Sequence, residues 1–318
     1  MNQRISLVEK TQPRVRRQVE MQVNRNLHQK LVDEYFQTNA EYWKSVYGER
    51  NLNSIIYQYR HAVALHIVDE LNLPKESNVL EIGCGAGILT MALARRKYIV
   101  NAIERVRASL DLVHRRAIEV GLKKRIMTSI GDVHALEFKD QSFDLVLALG
   151  VIPWLHSPRT AMMEIMRVLK PGGYAIITVD NRWRLNHILD PRFNPLLSPI
   201  REAVKYLLET VNLKKPTLKA SFPRMHSINE FDSLLRSIGM HKFAGLTLAF
   251  GPFTVMGKRI FTDSVGKVLN HFLQRLADWN IPGIRSTGSH YIVLAQKPET
   301  VSMRKVNRAN VFTDMEIS

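Results

Sequence analysis

With 318 residues, 45% of them hydrophobic and 23% charged, the chain has the composition of an ordinary globular protein and the length for one large domain or a domain with a sizeable insertion. Its single cysteine, Cys84, excludes an intrachain disulfide and favours a reducing compartment. A net charge of +16 favours an anionic partner, whether nucleic acid, a membrane surface or an acidic substrate, without choosing among them, and solubility alone would also account for it.

The N-terminus, MNQRISLVEKTQPRVRR, lacks the apolar core of a signal peptide, and no apolar run approaches the roughly 18 residues of a spanning helix. A cytoplasmic protein, soluble or peripheral at a membrane, is therefore expected. Residues 1–30 read as a basic arm. Residues 31–73 carry apolar and aromatic residues at helical spacing and predict two helices. From Pro74 the chain alternates. NVLEIG is a strand, ILTMALARRK a helix, YIVNAIE a strand, and RASLDLVHRRAIEVG a helix stopped by Gly121. RIMTSIG and FDLVLALG are strands, the second apolar nearly throughout, as a strand buried on both faces should be. RTAMMEIMRVLK predicts an amphipathic helix closed by Pro171, Gly172 and Gly173, and YAIITVD is the next strand. Such alternation argues a parallel sheet covered on both faces.

After Asp180 the alternation stops. Residues 181–225 are rich in Arg, Lys and Pro and predict short helices or an extended excursion. INEFDSLLRSIG is a helix and KFAGLTLAF a strand. In the next helix Val265, Val268, Phe272, Leu276 and Trp279 share one face. HYIVLAQK is the last strand, and residues 298–318 form a polar tail.

The stretch VLEIGCGAG turns on alternating glycines after the first strand. A dinucleotide fingerprint needs Gly or Ala at the position occupied by Ile88, where a bulky side chain obstructs close helix–strand packing. The pattern is instead E-x-G-x-G-x-G, through Glu81, Gly83, Gly85 and Gly87. The second strand ends in Glu104, a carboxylate able to accept both hydroxyls of a ribose. Asp132 follows the third strand, and EIMRVLKPGGYAIIT leads into the fifth.

These features, ordered over about residues 75–180, resemble the class I S-adenosylmethionine-dependent methyltransferases, with E-x-x-R-x-L-K-P-G-G met by Glu164, Arg167, Leu169, Lys170, Pro171, Gly172 and Gly173. The resemblance implies an α/β fold: a Rossmann-like, seven-stranded, mostly parallel sheet with helices on both faces, an N-terminal helical lid and C-terminal insertions. It implies S-adenosyl-L-methionine as cofactor, with the glycine turn beneath its methionine portion, Glu81 toward its amino group, Glu104 on the ribose and Asp132 beside the adenine. Cys84, Arg105, Val133 and Leu149 join the expected cofactor contacts. The expected organisation is arm 1–30, lid 31–73, core 74–180, acceptor-pocket insertions and last two strands 181–297, and tail 298–318.

An activated methyl group needs an acceptor held in line, and an oxygen acceptor of high pKa needs a base. Segments beyond the strand C-termini should form that site. They offer Trp154 and His156 after the fourth strand, and Asp180, Asn181, Arg182 and His187 after the fifth. His156 is the candidate base, although a histidine in a turn with its ring in water reads equally from sequence. Tyr47, Arg60, Trp154 and Asn181 are the candidate acceptor-pocket residues, with Tyr35, Trp43 and Tyr57 also available from the lid. No metal is expected, because Leu149 and Gly150 stand where a partner carboxylate for Asp180 would be needed.

Three function classes follow. The first is O-methylation of a small-molecule or lipid-linked acceptor, to which an apolar pocket with a basic rim is suited; a peripheral contact with an anionic membrane fits the same residues. The second is an RNA methyltransferase using the basic surface, although GVIPWL stands where an acceptor motif for planar nitrogens would lie and no RNA-binding module is evident. The third is a cofactor-binding, non-catalytic relative. Oligomeric state is not readable from the sequence.

Overall fold

The computed structural model describes residues 27–39, 46, 49, 51–210 and 223–299. The first helix among the described residues, α1, covers 27–38 and so crosses the expected boundary between arm and lid. The rest of the arm, Trp43, Tyr47 and the tail beyond residue 299 lie outside the described residues. Helix α2, Leu52–Glu70, starts where the Asn51 side chain accepts a hydrogen bond from the amide of Ser54, satisfying one of the amides left without an intrahelical partner.

The alternation predicted for the core is present. Strands β1 (Asn78–Ile82), β2 (Ile99–Glu104), β3 (Ile126–Ile130), β4 (Phe143–Ala148) and β5 (Leu169–Asn181) alternate with helices α3 (Ile88–Arg95), α4 (Arg107–Glu119) and α5 (Pro158–Val168). Beyond β5 come the short helix α6 (Leu185–Leu189), α7 (Ser198–Thr210), the two-residue strand β6 (Met225–His226), α8 (Ile228–Ser237) and β7 (His241–Leu248). A small hairpin, β8 (Thr254–Val255) and β9 (Lys258–Arg259), precedes α9 (Asp263–Asp278) and β10 (His290–Gln296).

The sheet runs in the order β3-β2-β1-β4-β5-β10-β7, with β6 added beside the end of β5 as an eighth strand. Every pairing from β3 to β5 is parallel, and β10 is antiparallel to both β5 and β7. Alternate residues feed opposite faces: Val79, Leu145, Ile176 and Ile292 enter one core with α2, α3 and α4. Leu80, Val146, Ile177 and Val293 enter the other with α5 and α8. Burial on both faces explains why these strands read as continuous apolar runs.

Two expectations are corrected. The helix RTAMMEIMRVLK ends at Val168, and Leu169 already pairs with Phe143, so Pro171, Gly172 and Gly173 lie inside β5. There the register shifts, and pairing resumes at Leu145 with Tyr174. A Cβ on Gly173 would lie 2.9 Å from the Lys170 carbonyl oxygen and 3.1 Å from that of Phe143, so this close backbone approach requires glycine. The second correction concerns α9. Val265, Val268, Phe272 and Trp279 share a face, but that face is exposed. The buried side holds Gly266, Asn270, Leu273, Gln274 and Ala277. Asn270 and Gln274 accept hydrogen bonds from the amides of Phe250 and Ala249, which belong to a bend the sheet cannot satisfy.

Candidate active site

A cavity of about 690 Å³ opens at the C-terminal ends of the parallel strands, beside the first turn between β1 and α3. This is where open parallel sheets bind ligands, because the chain diverges to the two sides of the sheet there. Gly83, Gly85 and Gly87 all have positive φ, at +71°, +49° and +76°. Their roles differ. A Cβ on Gly83 would meet Val151 at 2.7 Å and one on Gly87 would meet Val113 at 2.6 Å, so both are fixed by packing. A Cβ on Gly85 meets nothing within 4 Å and Gly85 lines the cavity, so the turn leaves this space for a ligand.

Glu104 crosses the same space. Its Oε2 accepts from the amide of Gly85 at 3.1 Å, and its Oε1 from the amides of Arg105 and Val106 at 2.7 and 3.3 Å. The carboxylate is thereby oriented at the cavity wall with acceptor capacity for a diol. Asp132 follows β3. Its Oδ1 takes the amide and Nδ1 of His134, at 2.9 and 2.7 Å, and these bonds hold its carboxyl well below the usual range. Arg105 joins the two levels. It donates to both carboxylate oxygens of Asp33 on α1, at 3.0 and 3.1 Å, and to Asp132 at 3.1 Å. Tyr35 of α1 stacks on Trp154 with ring centroids 5.0 Å apart, so α1 forms a wall of the cavity.

Of the predicted cofactor contacts, Gly83, Gly85, Glu104, Arg105, Asp132, Val133 and Leu149 line the cavity. Glu81 and Cys84 face a separate small cavity across the glycine turn, with Ile82, Gly83, Gly85, Ala86 and Leu149 common to both. Glu81 is buried and accepts from Thr90 Oγ1 at 2.5 Å, and burial raises its carboxyl to about 8. Burial likewise pushes the Cys84 thiol far up, leaving it an inert filler. Gly87 caps α3 and touches neither cavity.

The residues expected to form an acceptor pocket are placed differently. His156 does not line the cavity; its ring stacks on His134, centroids 3.7 Å apart, on the side of Asp132. Asn181 is fully buried and donates to the carbonyls of Ser286 and Gly288, both at 2.9 Å, as a brace for the loop before β10. Tyr47 is outside the described residues. Arg60 and Trp154 do line the cavity, together with Tyr57, Asp180, Arg184 and His290.

His290 and Arg184 were not singled out by sequence. His290 opens the last strand, antiparallel to β5, and the register pairs it with Asp180. Its Nδ1 lies 3.1 Å from Asp180 Oδ1 in a buried site. Burial lowers the His290 pKa, so the ring is neutral at pH 7. Burial opposes the charge of Asp180, but the His290 hydrogen bond and the positive charges of Arg184 and Arg60 hold its carboxyl below the usual range. Arg184 is half-buried, and its Nε has no hydrogen-bond partner among the described residues. Arg60 packs against Gly150 and over the Tyr57 ring, 5.0 Å from its centroid. Two guanidinium groups and one carboxylate leave this end of the cavity with a cationic surplus.

The sheet order, the turn at Gly85 and the carboxylates at the ends of β2 and β3 define a class I S-adenosylmethionine-dependent methyltransferase fold. Residues 80–177 match the family described as Methyltransferase domain, in agreement with that fold. The chain is similar to a ubiquinone biosynthesis O-methyltransferase of Vibrio cholerae, 24% identical over 147 residues, covering 46% of this chain and 58% of the relative. It is also similar to the sterol 4-C-methyltransferase strm-1 of Caenorhabditis elegans, 24% identical over 46% of this chain and 43% of the relative. The biotin biosynthesis bifunctional protein BioHC of Teredinibacter turnerae is 26% identical over 51% of this chain and 31% of its own. The chain thus spans less than two thirds of each of these relatives. A methyltransferase from Haloferax volcanii, solved with the activator Trm112, shares the fold with a TM-score of 0.55 at 16% identity, over 86% of this chain and all of that one.

The residues present fit S-adenosylmethionine as cofactor. The space at Gly85 is one that a Cβ would fill, and Glu104 and Asp132 supply oriented acceptors at one end of the cavity. Glu81 stands across the turn as a buried carboxyl able to meet a cationic amino group.

Proposed function

We propose that this methyltransferase modifies an oxygen of an amphiphilic, anionic small-molecule or lipid-linked acceptor, with His290 as general base and Asp180 as its positioning residue. The observation that carries the reading is the buried Asp180–His290 pair beside Arg184, in the same cavity as Glu104 and Gly85. Bound S-adenosylmethionine supplies a methyl group on a cationic sulfur and is left as a neutral thioether after transfer.

The chain's own residues supply the rest. Ionised Asp180 accepts from Nδ1–H of His290, which fixes the tautomer and makes Nε2 the basic position. An acceptor hydroxyl gives its proton to Nε2 as its oxygen takes the methyl group. The imidazolium formed is stabilised by Asp180. Arg184, whose Nε is left without an acceptor among the described residues, attracts a carboxylate or phosphate of the acceptor, and the positive charge of Arg60 adds to that attraction. Tyr57, Trp154 and Ile56 give the cavity apolar wall, and α1 excludes water.

The test uses cofactor labelled on its methyl group, purified protein and a cell extract separated into organic-soluble, small aqueous, RNA and protein fractions. Label is expected in the organic or small aqueous fraction, reduced about 100-fold or more in His290→Ala with cofactor affinity retained. Label in RNA or protein overturns the acceptor class. Undiminished transfer by His290→Ala removes the assignment of the base.

A further inference from the structure

The open end of the cavity continues into a surface of unusual polarity. On α9, Val268 and Trp279 are 72% and 71% exposed, with Val265 and Phe272 beside them, while the amides of Asn270 and Gln274 point inward. This reverses the pattern of a helix that faces water. The β8–β9 hairpin exposes Val255 and Met256 at its turn, and Ile260 and Phe261 follow it. On α7 and the turn before it, Leu196, Ile200, Val204 and Leu207 form one exposed stripe at helical spacing.

These segments share a neighbourhood. Asp190 accepts from Thr254 Oγ1 and from the amides of Met256 and Gly257, which fastens the hairpin to the residues between α6 and α7. Arg192 donates to the Met256 carbonyl at 3.4 Å, and Arg201 to the carbonyls of Pro191 and Asn194. α9 follows Phe261 after a single residue. The surface is also continuous with the cavity: Gly251 and Pro252 line it and lead directly into the hairpin, and Arg184 lines it and leads into α6.

We propose that this surface docks the protein on an anionic lipid bilayer, from which the acceptor enters the cavity head first. Delivery of the acceptor rests on the reading of methyl transfer above; docking does not. The occupant follows from the charges. Arg192, Lys258, Arg259 and Arg275 are exposed among the apolar residues, and the whole chain carries +16. Lipid phosphates complement that arrangement, with the apolar side chains entering the acyl boundary. Two copies paired through the same patch would set these cations against one another.

Flotation of the full chain with vesicles of phosphatidylcholine, alone or mixed with phosphatidylglycerol, tests the proposal. Binding is expected to be about tenfold or more tighter to the mixed vesicles. The double variant Met256→Asp, Phe272→Asp is expected to lose about tenfold or more of it while binding labelled S-adenosylmethionine as the parent does. Lys258→Glu with Arg259→Glu should remove the preference for the anionic lipid. Absence of vesicle binding by the parent, or equal binding by the double aspartate variant, overturns the proposal. So does self-association, read by sedimentation, that the aspartates abolish in place of vesicle binding. Cofactor binding is read separately, so a failure of the methyl-transfer reading leaves a different trace: vesicle binding without transfer.

Discussion

Gly85 and Glu81 stand on opposite sides of one turn and fail in different ways when changed. Gly85→Val places a branched side chain in the cavity at a φ of +49°, a strain of roughly 1–2 kcal/mol. Loss of S-adenosylmethionine binding with a soluble, folded protein is the expected result, measured by calorimetry and circular dichroism. Glu81 acts on stability. Its carboxyl keeps its proton up to about 8 in the folded protein, whereas the unfolded chain ionises near 4.5. The folded state therefore holds the extra proton between these values, and Glu81 lowers stability as pH rises through that window. Glu81→Gln should gain on the parent by about 2–4 kcal/mol between pH 5 and pH 8, read from urea unfolding at each pH. At the acceptor end, Arg184→Leu should raise KM for an acidic acceptor about tenfold or more, with cofactor affinity kept.

Single elements show where sequence patterns were sufficient. The core strands were legible because burial on both faces leaves mostly apolar runs, as in β4 and the middle of β5, bounded by turn residues. α8 was legible too, and Ser227 with Glu230 forms a reciprocal cap at its start. Ser227→Ala should cost about 1 kcal/mol in urea unfolding. The apolar stripe of α9 was just as regular, yet it faces outward. Periodicity reports that a stripe exists and leaves open what covers it; here the sheet-side contact is made by Asn270 and Gln274 because the bend at Ala249 and Phe250 needs acceptors. The start of β5 at Leu169 likewise depends on pairing with Phe143, a residue 26 positions away, which no local signal carries.

At the level of the whole molecule, the buried histidines set the acid limit. Burial lowers His61 to about 3 and His187 to about 4, and lowers His226 and His290 as well. The unfolded chain protonates them near 6.5, so their contribution to stability is full above that pH and is lost as pH falls toward the folded values. Each contributes up to about 1.4 kcal/mol per pH unit. A thermal midpoint markedly lower at pH 5 than at pH 7 is the expected outcome by calorimetry. Helix α1 belongs to this scale as well, since it is joined to the core through Asp33, Arg105 and Asp132. Among the described residues no helix is long and apolar enough to cross a membrane.

The sequence by itself determined the alternating core, the glycine turn and the placing of the Glu104 and Asp132 carboxylates at strand ends. Each of these lies in one short stretch, where strand, turn and helix follow from local pattern and the ligand-facing residues sit at strand ends. Only the tertiary structure decided the end of the cavity that holds Asp180 and His290. Asp180 is the last residue but one of the fifth strand and His290 opens the last, 110 positions later, and they meet because antiparallel pairing sets them side by side. His156 was the nearer histidine in sequence, but the turn after β4 stacks it on His134, away from the cavity. Pairing of distant strands and burial of charge together make that end of the site, and both are properties of the packed chain.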